Sequence, residues 1–153
     1  MGPNSAPFFE IGTHEAAVKF PRSIMNNFVG ETLDRVEFYL VNVPNNTFVK
    51  IYDEGDSATP GAVLYEANIS GTVQSDSWNS HTLTTPLEMT GNELWLSIEF
   101  THNERRNTIG CDEGPAVTNG DWVMEADQVG WSSYRDFTSD AVSINWNIRG
   151  FFE

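Results

Sequence analysis

Cysteine is nearly absent. Cys111 is the one thiol in 153 residues, so no internal disulfide can form and the chain is not a disulfide-stapled miniature domain. Lysine is almost as scarce. Lys19 and Lys50 are the only two, and eight bases in all stand against 22 acids, a formal net charge of −14. Such a surface repels phosphate backbones and anionic lipid headgroups, which disfavours nucleic acid and membrane partners. No run approaches the ~18 apolar residues of a spanning helix, so membrane insertion is not expected. Enzyme signatures are missing too: there is no G-x-S-x-G, H-E-x-x-H, P-loop or G-x-G-x-x-G. His14, His81 and His102 are scattered, and Cys111 beside Asp112 and Glu113 sits in negative potential, which dulls a thiol. The acids offer many carboxylate pairs, yet no pair stands out for glycoside hydrolysis. A non-enzymatic role is the expectation.

Helical periodicity is equally thin, and what replaces it is period-two alternation. In 32–43, Val36, Phe38 and Leu40 share one face, with Glu37 and Tyr39 on the other. In 47–53, Val49 and Ile51 alternate with Phe48, Lys50 and Tyr52, and the Pro44-Asn45-Asn46 turn between the two segments predicts a hairpin. Further strands are read at 62–69, 78–84, 121–125, 129–134 and 142–152. The strongest covers 93–102, where Leu94, Leu96, Ile98 and Phe100 oppose Trp95, Ser97, Glu99 and Thr101. Pro21 opens the single helical candidate, 21–28. One domain is expected, an all-β, two-sheet antiparallel β-sandwich of jelly-roll-like type over residues 13–153, with 1–12 as a linker or cloning remnant.

Ligand contact falls to the irregular segments. The long stretch from Asn103 to Asn119 lacks strand signals, and loops of that length are commonly functional. Asp112, Glu113, Asn119 and Asp121 supply hard oxygen donors between Gly110, Gly114 and Gly120, a composition that suits calcium; Asp53, Glu54, Asp56 and Ser57 form a second acidic loop. Neither has EF-hand spacing, and a solvated acidic loop explains both as well. Five tryptophans are the other lead. Trp122, Trp131 and Tyr134 fall in loop-like sequence near Asp121, Asp127, Arg135 and Asp136, where indole faces could stack on sugar rings while Asp121 and Arg135 read hydroxyls. Trp146, in phase with Ile144 and Ile148, is read as core.

The closing Asn145-Trp146-Asn147-Ile148-Arg149-Gly150, followed by Phe151, resembles the end of a β-sandwich module found in secreted multidomain proteins of Bacteroidota. Gly110-Cys111-Asp112-Glu113-Gly114-Pro115-Ala116-Val117 and the later Gly120-Asp121 step are similar to the loop that precedes that ending. The resemblance spans roughly residues 15–152. It implies a non-catalytic adhesin-like or carbohydrate-binding accessory domain of proteins exported by the type IX route, secreted or held at the cell surface, and related domains frequently hold calcium. Two expectations follow. One is a glycan-binding module, its partners a polysaccharide and the neighbouring domains of its parent protein. The other is a structural or adhesive spacer that makes protein or cell-surface contacts.

Overall fold

The computed structural model describes residues 7–126 and 128–153. Its strands are β1 (Phe8–Phe9), β2 (Gly12–Phe20), β3 (Thr32–Leu40), β4 (Asn46–Tyr52), β5 (Val63–Asn68), β6 (Ser77–Glu88), β7 (Leu94–His102), β8 (Arg106–Asn107), β9 (Trp122–Met124), β10 (Ser132–Ser133) and β11 (Ile148–Phe152). A six-stranded antiparallel sheet runs β10-β9-β2-β7-β4-β5, and a three-stranded sheet runs β11-β3-β6. The chain crosses repeatedly between them, in the manner of a jelly roll. The fold is an all-β sandwich, as the alternation predicts.

The core lies between the sheets. Val36, Phe38 and Leu40 of β3 meet Val49 and Ile51 of β4 and Leu94, Leu96, Ile98 and Phe100 of β7. Pairing of β3 with β4 as a hairpin is overturned: β3 pairs with β6 and β11, while β4 pairs with β5 and β7. Both strands carry an apolar face, and facing each other across the core buries both. The connector is fixed elsewhere as well, since Val41 N–H donates to the Thr108 carbonyl and Asn45 N–H to that of Thr101.

Several boundaries move. The segment 21–28 is a short helix, α1 (Arg22–Met25), continued by a 3-10 turn at Asn26–Phe28. The stretch 129–134 yields only β10, followed by the helical turn α2 (Tyr134–Phe137), because Ser133 Oγ accepts from Asp136 N–H and caps a helix start. Strand 142–152 shrinks to β11, preceded by a lone bridge between Trp146 and Cys111. Of the expected linker 1–12, residues 1–6 lie outside the described residues, whereas Phe8–Phe9 pairs with β8 and Phe9 is buried in the core. β2, for which alternation gives no clear signal, is the central strand joining β7 to β9.

Trp146 is core, with its ring 5.2 Å from Tyr134 and 6.1 Å from Phe9 between centroids, and its N–H donates to the Trp122 carbonyl at 2.9 Å. Trp146→Ala should therefore cost ~3–5 kcal/mol in chemical denaturation, enough to unfold a marginal domain. His102, 1% exposed, has Nε2 against Thr108 Oγ1 and no partner for Nδ1 among the described residues. Burial, with lesser help from the charges of His14 and Arg106, holds its pKa down to about 4. Unfolded chains bind that proton near pH 6.5 and the native state does not until about 4. Stability should fall through that window as pH drops, by on the order of 2–3 kcal/mol. Denaturation of wild type and His102→Gln at several pH values checks this; the difference between them should shrink toward acid.

Candidate functional site

The outer face of the six-stranded sheet is built from the residues that alternate with the core. On β2 these are Glu15, Ala17 and Lys19; on β7, Trp95, Ser97 and Glu99; on β4, Lys50 and Tyr52. A polar, solvated face is the usual partner of a core face in an antiparallel sheet. Here it is not solvated. Trp95 is fully buried and forms a second apolar cluster with Ala17 and Tyr52, against which Trp122 and Trp131 pack. Ala17 lies directly opposite Trp122 in the β2–β9 register, and its single methyl leaves room for the indoles to converge. The Trp95 ring centroid is 5.1 Å from that of Trp122 and 5.5 Å from that of Trp131.

Polar groups lock this cluster from its edges. The Lys19 ammonium lies 5.3 Å from the Trp95 ring centroid and 5.6 Å from that of Trp122. It donates to the Ser57 carbonyl at 3.1 Å and pairs with Glu93 at 3.3 Å, and Glu93 also accepts from Trp95 Nε1 at 3.1 Å. One carboxylate thus serves a buried cation and a buried indole. Further along, Glu15 is 6% exposed and one of its oxygens accepts from Tyr52 Oη and Ser97 Oγ, both at 2.6 Å. Burial lifts its pKa above the usual carboxylate range, against the opposing pull of those two hydroxyls. Lys50 and Glu99 pair beside it at 2.5 Å.

Beside the cluster opens a cleft of about 350 Å³. Trp122, Trp131, Asn119, Asp121, Arg135 and Asp136 line it, together with Ala58, Ser132 and Ser133. The indoles of Trp122 and Trp131 are half-buried, so each is held by packing while keeping surface open. Trp122 is aimed further by its N–H, which donates to Asn119 Oδ1 at 3.2 Å. Asn119 adopts φ 71°, in the left-handed region that asparagine tolerates, and its carbonyl accepts from Lys19 N–H.

Two of the five expected sugar contacts are buried. Tyr134 is 5% exposed and packs on Trp146 and Phe9; burial pushes its phenol up to about 12, and no ring face is offered to a ligand. The cause is α2, whose first turn rotates Tyr134 inward. Asp121 is 2% exposed, and its carboxylate accepts the Arg135 backbone N–H at 3.0 Å where it lines the cleft wall. Trp122, Trp131 and Arg135 do meet at the cleft. Asp127 lies outside the described residues. Trp95, Lys19, Glu93 and Tyr52 are what the sequence reading missed as parts of the site; only the in-phase spacing of Lys19 with Ala17 hinted at a shared face.

The cation loops resolve into internal contacts. Asp112 is half-buried, which favours its protonated form, but hydrogen bonds from the Asn145 side chain and backbone and from Gly114 N–H outweigh this and hold its pKa low. Glu113 is exposed, Asn119 serves Trp122, and Asp121 serves α2. Among the described residues no three His, Cys, Asp or Glu side chains form a group placed to hold a metal. In the other acidic loop the cations are the protein's own: Arg22 holds Glu54 at 2.7 and 3.0 Å, and Lys19 holds Ser57. Asp56 caps its own turn through Ala58 and Thr59 N–H.

No known family matches the chain, and neither curated proteins nor solved structures give a significant match. The site therefore rests on its own geometry.

Lys19→Met should cost roughly 3 kcal/mol, since it leaves Glu93 unpaired in a largely dry setting. Denaturation measures that loss, and Glu93→Gln combined with Lys19→Met should recover part of it.

Proposed function

We propose that this domain is a non-catalytic accessory module that binds carbohydrate at the Trp122–Trp131 cleft. The observation that carries the reading is a pair of half-buried indoles braced by a third, Trp95, along a cleft whose polar groups are hydroxyls, an amide, Arg135 and the carboxyls of Asp121 and Asp136. Sugar rings present apolar C–H faces and a rim of hydroxyls, and this combination supplies a partner for each. Bracing matters to affinity. Side chains already fixed by packing lose little freedom when a ligand arrives, so more of the contact energy reaches the complex.

The closing Asn145–Phe151 segment supports an exported setting, in which the domain would sit beside a larger protein's other domains at the cell surface or in the medium. The net charge of −14 favours neutral over polyanionic glycans.

A structural or adhesive spacer is the second reading, and a different face favours it. On the outside of the three-stranded sheet, Arg149 lies 4.1 Å from the Trp78 ring centroid and 5.5 Å from that of Phe151, and Arg35 lies 3.9 Å from Phe151. Trp78 is 36% exposed, so this ladder is open to a protein partner.

Affinity electrophoresis through gels containing neutral polysaccharides separates the two. Retention of wild type, weakened about tenfold or more by Trp131→Ala and unchanged by Tyr134→Phe, is expected. A panel of neutral glycans that retards none of the folded proteins would sink the carbohydrate reading.

A further inference from the structure

The Trp122–Trp131 cleft shares lining residues with a neighbouring depression. Thr118 and Asn119, which form part of its wall, also line a second depression of about 390 Å³ together with Phe20, Ile24 and Val117. Phe20 and Ile24 in turn line a third, about 290 Å³, with Phe28 and Phe152. Shared lining residues make the three neighbours. Ile24 and Val117 are large apolar side chains left 44% and 60% exposed, and both stand on the middle section.

The chemistry of the lining is selective. In a chain with 22 acids, no carboxylate lines the second or third section, where Lys19 and Arg149 are the charged groups. A polycation would find no counter-charge there, and a polyanion would have to approach a molecule of net charge −14. Strand addition by a peptide needs free backbone donors along an edge. Next to the middle section, Lys19 N–H is already taken by the Asn119 carbonyl.

We infer that the three depressions form one groove that bends round the edge of β2, and that its ligand is a linear neutral polysaccharide following it over several sugar rings, not a terminal sugar. The inference rests on the carbohydrate reading above. Ala17 turns to the outer face opposite Trp122, whereas Phe20, three residues on, turns to the core face, so the path from the indoles to Phe20 bends round the edge of β2. The cleft and the second depression, about 350 and 390 Å³, together hold more than one pyranose ring. The indole end stacks on ring faces, and the Phe20–Ile24–Val117 section makes apolar contact with the rings that follow, so binding energy accumulates along the chain.

Calorimetric titration with β-1,4-linked gluco-, xylo- and chito-oligosaccharides, from disaccharide to hexasaccharide, tests this. For at least one series, wild-type affinity should rise by about tenfold or more with length. Ile24→Ser and Val117→Ser alter exposed side chains and should leave folding intact; together they should abolish that rise and leave the affinity for the shortest ligand unchanged. Trp131→Ala should weaken every length. A hexasaccharide bound no more tightly than a disaccharide, or a rise that survives the double substitution, overturns the groove and leaves the cleft reading standing. Wild type that binds no member of any series rejects both.

Discussion

Lys19 and Trp95 face each other across β2 and β7, and both are buried on the side of the sheet that would ordinarily meet water. This is the constraint on which the remainder depends. A lysine ammonium can stay out of water only with its charge answered and its donors satisfied, which Glu93, the Ser57 carbonyl and two indole faces provide. Satisfying it fixes three things at once: the loop that carries Ser57, the tilt of Trp122, and the position of Glu93 under the Trp95 N–H. The two central strands thereby become double-sided, with the sandwich core on one face and an aromatic cluster on the other.

That double-sidedness also explains what was legible in the sequence. Strands whose large apolar residues keep one phase announce themselves, and β3, β4 and β7 follow the alternation of Val36-Phe38-Leu40, Val49-Ile51 and Leu94-Leu96-Ile98-Phe100, even though the outer face of β7 is covered too. β2 reads Thr13, His14, Glu15, Ala16, Ala17, Val18, Lys19, a mixture with no apolar phase, because Glu15 and Lys19 are buried with polar partners and Ala17 is small to admit indoles. Polar residues buried in pairs carry no periodic mark. Strand pairing was illegible for a related reason, since an amphipathic strand demands an opposing apolar surface without saying whether it comes from a neighbour in its own sheet or from the layer across.

Within the site, composition identified Trp122, Trp131 and Arg135 but gave no way to separate them from Tyr134 and Asp121. The separation depends on α2, a single helical turn whose Ser133 cap sends Tyr134 inward and draws Asp121 to the Arg135 backbone. The acidic loops show how much of their hydrogen bonding is internal. Carboxylates suited to calcium are equally suited to backbone amides and to arginine, and Asp112, Asp56 and Glu54 have found those partners within the fold.

The contact among three indoles has an optical consequence. Trp95, Trp122 and Trp131 have centroids close enough for their excited states to couple, whereas the ring of Trp78 packs on Tyr39 and that of Trp146 on Tyr134 and Phe9. The near-ultraviolet circular dichroism of the native protein should thus be dominated by this trio. A molecule settling on Trp131 would perturb the shared transition even where it never touches Trp95, giving the domain an intrinsic, label-free chromophore at its own binding surface.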